Sequence, residues 1–142
     1  MLERDFDDVP SHISNGWTVD NFLGGETEYI SPEFGNSRAE FYFSIQLPRS
    51  QDEKLSVVIC VTSSEYVNRF QGTFELKTKK GTKSSRMDFL LTELGQSGMA
   101  EFDLTKEDLD GTEYFDHNTE LKINFSLTIG DPDADDDRVY DY

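Results

Sequence analysis

At 142 residues the chain is long enough for one domain with its own core, and its 11 Phe and 6 Tyr supply volume that a 35% hydrophobic content would otherwise lack. A net charge of -16 sets it against nucleic acid and anionic membrane, whose phosphates it would repel. One Cys and two His leave no material for an intrachain disulfide framework or a Cys/His zinc site.

The charge is unevenly placed. Residues 1–8 hold four acids and one Arg, net -3, and residues 131–142 hold six Asp and one Arg, net -5, which leaves -8 on the rest. The expected organisation is an acidic N-terminal segment over residues 1–12, a folded body over 13–130, and an acidic tail over 131–142. The tail is expected to be disordered, because it cannot bury enough apolar surface to offset its ordering entropy. No basic-then-apolar leader opens the chain, and no run approaches the roughly 18 apolar residues of a membrane span. These features point to an intracellular protein, cytoplasmic or nuclear.

Taken in chain order, residues 16–22 read as a weakly patterned strand. Residues 39–47 alternate strictly, with Ala39, Phe41, Phe43, Ile45 and Leu47 on one face. Leu55, Val57, Ile59 and Val61 repeat the pattern, with Cys60 among them as an inert buried or half-buried thiol. Phe70, Phe74 and Leu76 form another face, with Gly72 on the same side, and residues 79–82 (Lys-Lys-Gly-Thr) read as a hairpin turn. Weaker strands are expected at 86–92 and 99–104. Thr105 is placed to cap a short helical turn, with Asp108 three residues on. Leu121, Ile123, Phe125, Leu127 and Ile129 close the series. Strands that bury one face and wet the other belong to antiparallel sheets, so the expected fold is all-β, an antiparallel β-sandwich of about eight strands.

Nothing in the chain singles out a catalytic group. A functional carboxyl pair needs one member raised by burial, and these acids sit mostly in polar loops and tails. His12 and His117 read as turn histidines. Asp131, Asp133, Asp135 and Asp137 have the spacing of a calcium loop, but Asp136 holds the sixth position in place of Gly and Tyr142 the twelfth in place of Glu. No enzyme activity, metal or cofactor is therefore expected. Lys77, Lys79, Lys80, Lys83 and Arg86 crowd one hairpin. They either solubilise an exposed edge or receive an acidic segment, from a partner or from the chain's own tail.

Several segments together resemble the MATH (meprin and TRAF homology) or TRAF-like family. Residues 17–22 resemble its W-x-I-x-N-F strand, residues 29–34 contain its S-P-x-F step, and residues 55–58 are similar to its L-S-L-aromatic strand. The resemblance spans residues 17–129 and implies an eight-stranded sandwich that performs no chemistry. Family members bind short peptides of partner proteins as an added edge strand in a shallow groove. Carried over by position, the groove would involve Ser44, Gln46, Val58, Gly72, Ser84, Ser85, Phe89, Ser97, Gly98 and Met99. Of the positions where the substrate-adaptor branch has groove aromatics, only Phe89 is aromatic here, and that branch's W-G-F step appears as Ser97-Gly98-Met99. The Ser-Gly step and the Ser84-Ser85 pair are closer to the TRAF branch, whose charge-reading Arg and Tyr are replaced near Ser44 and Gln46. The resemblance implies an adaptor or scaffold, with ubiquitin-ligase substrate recruitment among its roles. The competing expectation is a homodimer formed through a sandwich face, using Tyr42, Val58 and Leu90. A sugar-binding sandwich is a weaker alternative, because Trp17 reads as core rather than as an exposed stacking ring.

Overall fold

The computed structural model describes residues 11–36, 39–64, 67–117 and 119–130. The acidic segments at 1–10 and 131–142, with the aspartate series and the expected disorder of the tail, lie outside the described residues. Among the described residues, nine strands and one short helix follow in order: β1 (Ser11–Phe22), β2 (Glu28–Ile30), β3 (Phe34–Gly35), β4 (Ala39–Gln46), β5 (Lys54–Ser64), β6 (Asn68–Thr78), β7 (Gly81–Leu91), β8 (Ser97–Thr105), α1 (Lys106–Asp110) and β9 (Thr119–Gly130).

They form the expected antiparallel sandwich. One sheet, here sheet I, has the order β1-β9-β6-β7; the other, sheet II, has β2-β4-β5-β8, with β3 also paired to β4. The strand count exceeds eight because β2 and β3 are short pieces, of three and two residues, along the same neighbour. Pro32, which has no N–H to give a ladder, separates them. Ser31 restores the link: its hydroxyl accepts from the Phe43 N–H at 2.8 Å and donates to the Pro32 carbonyl at 2.7 Å. The Ser-Pro-x-Phe step is thus a stapled break in an edge strand, and it delivers Phe34 to the core.

Alternation produces that core. Ala39, Phe41, Phe43 and Ile45 from β4, Leu55, Val57 and Ile59 from β5, and Leu121, Ile123, Phe125, Leu127 and Ile129 from β9 are all buried. Trp17 lies among them, stacked on Phe43 with centroids 5.3 Å apart, while Phe125 and Phe74 meet Phe43 edge-on at 4.9 Å and 5.1 Å. These offset and T-shaped contacts are the arrangements aromatic quadrupoles favour. Trp17 is therefore core, as its place in the pattern indicates, although its buried indole N–H has no hydrogen-bond partner among the described residues.

Turns follow local chemistry. Thr78 pairs with Gly81 across a two-residue loop, Lys79-Lys80, and Gly81 takes φ +116°, which a side chain would resist. Thr105 accepts from the Asp108 N–H at 3.2 Å and the Asp108 carboxylate accepts from the Thr105 N–H at 2.9 Å, closing the expected capping box. β1 begins at Ser11, so His12 is a strand residue rather than a turn residue.

Candidate functional site

Residues opposite one another in antiparallel strands put their side chains on one face, so the strand register determines which candidate residues meet. Sheet II presents three cross-strand rows to its outer face. One is Tyr42, Cys60, Ser97; the next is Ile30, Ser44, Val58, Met99; the third is Glu28, Gln46, Ser56, Glu101. Successive rows lie about 6.7 Å apart along the strands, and a four-strand row is about 14 Å wide.

Half of the expected groove residues lie on this face: Ser44, Gln46, Val58, Ser97 and Met99. Their environments differ. Met99 is 56% exposed and Ile30 is 58% exposed, apolar residues at the two ends of a row that holds Ser44 and the half-buried Val58 between them. Ser44, by contrast, is buried and donates its hydroxyl to Glu28 Oε2 at 2.5 Å, so it braces the acid row rather than offering a free donor. A depression of about 400 Å³ opens on the acid row, lined by Glu28, Gln46, Ser56, Met99 and Glu101, with Arg49, Asp52, Glu53 and Lys54 around them. In the first row, Tyr42 stands opposite Cys60, whose thiol raises the phenol above its ordinary pKa.

Ser85, Phe89 and Gly98 occupy a different place, the seam where the edge strands β7 and β8 of the two sheets approach. The Ser85 hydroxyl donates to the Glu101 carbonyl at 2.6 Å, linking the sheets across that seam. This bond also shows which way β8 points. Backbone groups alternate sides along an antiparallel strand, so the N–H and C=O of Met99 and Ser97 face away from β5, as the Glu101 carbonyl does. Phe89 is half-buried, its ring 5.9 Å from that of Phe70. It fits only because Gly98 has no side chain: a Cβ there would lie 2.6 Å from both Cβ and Cγ of Phe89.

The other two candidates are not on this site. Gly72 is on the inner side of β6, paired with Met87 and Leu127, where a Cβ would meet the Ser126 carbonyl oxygen at 2.2 Å. Its role is close backbone approach. Ser84 faces outward on sheet I in register with Glu75. Nor do Tyr42, Val58 and Leu90 make one interface. The first two are on sheet II and Leu90 is on the outer face of sheet I, opposite Arg69.

The basic hairpin is largely engaged within the chain. Lys79 bonds the Thr112 carbonyl at 2.9 Å and Asp116 at 2.8 Å, and Lys80 pairs with Glu113. Lys80 and Lys83 each lie 5.3 Å from the Tyr114 ring centroid. These contacts tie the hairpin to the loop after α1; Lys77 and Arg86 remain exposed.

Two features escape a reading by periodicity. Ile30 is one, because a three-residue strand shows no alternation. The other is a polar cluster on the outer face of sheet I: His12 Nε2 is 3.0 Å from both the Ser14 and Ser126 hydroxyls, and Nδ1 is 3.2 Å from the Thr128 hydroxyl. The signal was present as His-x-Ser and Ser-x-Thr on two outward faces, but only the β1–β9 register unites them. Among the described residues no carboxylate bonds either ring nitrogen, no three His, Cys, Asp or Glu side chains gather as metal ligands, and no helix is long and apolar enough to cross a membrane. No model of a known protein family matches this sequence, and no curated protein is significantly similar to it.

Proposed function

We propose that this chain is a protein-interaction module of the MATH (TRAF-like) type, serving as an intracellular adaptor or scaffold. It takes an extended segment of a partner protein along β8, from Ser97 to Met99, and over the outer face of sheet II. The observation that carries this reading is an edge strand whose backbone groups turned away from β5 adjoin an outer row in which Ile30 and Met99 are exposed and Val58 is half-buried. Backbone pairing with such an edge supplies affinity and the neighbouring side chains supply selectivity. Recruitment of substrates to a ubiquitin ligase is one output such a module serves when joined to other domains.

A screen of the full chain against a peptide array tests the reading, followed by a retest with Met99→Glu and Ile30→Glu. Both positions are more than half exposed, so charge there should leave the fold intact. Phe89 makes a poorer probe, because its ring packs on Phe70 and Gly98. Loss of a defined peptide in both variants supports the module; capture unchanged by either moves the binding surface elsewhere. The same apolar row is also the one observation favouring self-assembly, which would appear as a concentration-dependent dimer in light scattering.

A further inference from the structure

Resting on that reading, we infer that the sheet II surface selects a cationic partner segment: an extended peptide with a lysine or arginine two residues from an apolar side chain. The spacing comes from the register. The apolar row of Ile30, Val58 and Met99 and the acid row ending in Glu28 and Glu101 are offset by two residues along β2, β5 and β8. A bound strand has the same two-residue repeat on one face. An apolar residue seated beside Met99 therefore brings its second neighbour, before or after it according to strand direction, beside Glu101.

Charge chooses the occupant. The depression on the acid row is lined by Glu28, Glu101, Asp52 and Glu53 against Arg49 and Lys54, and Lys54 is already 3.4 Å from Asp103. The body around it carries net -8 between residues 9 and 130. An acidic segment would be repelled, and a second copy of this face would set Glu28 and Glu101 against another pair of carboxylates. A cation meets neither obstacle, and the long aliphatic stem of lysine or arginine also covers apolar surface on its way to the acid.

The chain contains its own reporter. Cys60 is its only cysteine and lies on the same outer face, directly opposite Ser97 and one row from Met99. The experiment uses the full chain and seven-residue threonine-rich peptides carrying a leucine and a lysine two positions apart, in either order. Matching peptides carry glutamine or glutamate in place of lysine. Binding is followed by anisotropy of a labelled peptide and by the rate at which a thiol reagent modifies Cys60.

The lysine peptide should bind about fivefold more tightly than the glutamine one, the most an exposed ion pair ordinarily gives. The glutamate peptide should be weakest, and the preference should fade as ionic strength rises from about 0.05 to about 0.5 M. Cys60 modification should slow in proportion to occupancy, and Glu101→Lys should reverse the order so that glutamate leads. Equal binding of all three peptides with Cys60 still protected overturns the cationic selectivity and leaves the docking face standing. Absence of binding by every peptide, or binding that leaves Cys60 fully reactive, overturns both.

Discussion

The seam between β7 and β8 is where the sandwich is most sensitive to a single methyl group. Gly98 has no positive φ, so alanine is allowed by the backbone, but its Cβ would sit 2.6 Å from Cβ and Cγ of Phe89. Ordinary carbon contacts lie at about 3.5–4.0 Å, so the edge strands must part by roughly 1 Å. Overpacking of this kind costs about 1–3 kcal/mol, and replacing a strand glycine returns about 0.5–1 kcal/mol through the unfolded chain. Gly98→Ala should therefore destabilise by about 1–2 kcal/mol. Phe89→Ala cannot relieve the clash, because it keeps the offending Cβ, so the matching change is Phe89→Gly. In that background Gly98→Ala should become neutral or gain about 0.5 kcal/mol, a coupling of about 2 kcal/mol. Urea unfolding followed by Trp17 fluorescence gives all four corners of the cycle, since the only Trp is buried in the core. An equal cost of Gly98→Ala in both backgrounds would refute the packing of the seam described above.

Other outcomes follow from the same contacts. Phe43→Ala removes the ring on which Trp17, Phe74 and Phe125 converge and should cost about 3–5 kcal/mol, read as a fall in the urea midpoint by circular dichroism with the slope unchanged. Thr105→Ala opens the capping box of α1 and should cost about 1 kcal/mol by the same measurement. Asp88 is held below the ordinary carboxylate range, chiefly by its hydrogen bond from Arg69. Because the folded pKa is depressed, its contribution is complete above the unfolded value near pH 3.9 and disappears as pH falls through the lower folded one. The pair is partly exposed and screened, so Asp88→Asn should cost no more than about 1 kcal/mol at pH 7 and progressively less as pH falls below about 4, compared in parallel urea titrations.

Much of this fold is legible in the chain because burial on one face writes itself as alternation. The odd positions of β4, Leu55, Val57 and Ile59 of β5 and positions 121 to 129 of β9 are core as in the pattern, whereas Val61, beside the bulge between β4 and β5, is only half-buried; the cap at Thr105 and the turn at 79–82 are local chemistry. What resists a linear reading is pairing. The outer rows of sheet II join residues from four separate stretches, and Ser44, an outward position by alternation, proves buried because Glu28 of β2 reaches it. Leu90 and Val58 look equivalent in sequence yet face opposite sides of the sandwich. Lys79 and Lys80 look like free surface charge until the loop after α1 supplies Thr112, Glu113 and Asp116. Gly72 and Gly98 show the same limit: an alignment offers them as groove positions, whereas their neighbours show each to be a place where a Cβ would collide.

Amide chemical-shift mapping of the full chain, titrated with a peptide captured from the array, tests the central claim most directly. The account predicts shifts concentrated at Ser97, Gly98 and Met99 and spreading through Val58, Ser44 and Ile30 across sheet II. Shifts centred instead on His12, Ser14 and Ser126, on the outer face of sheet I, would contradict it.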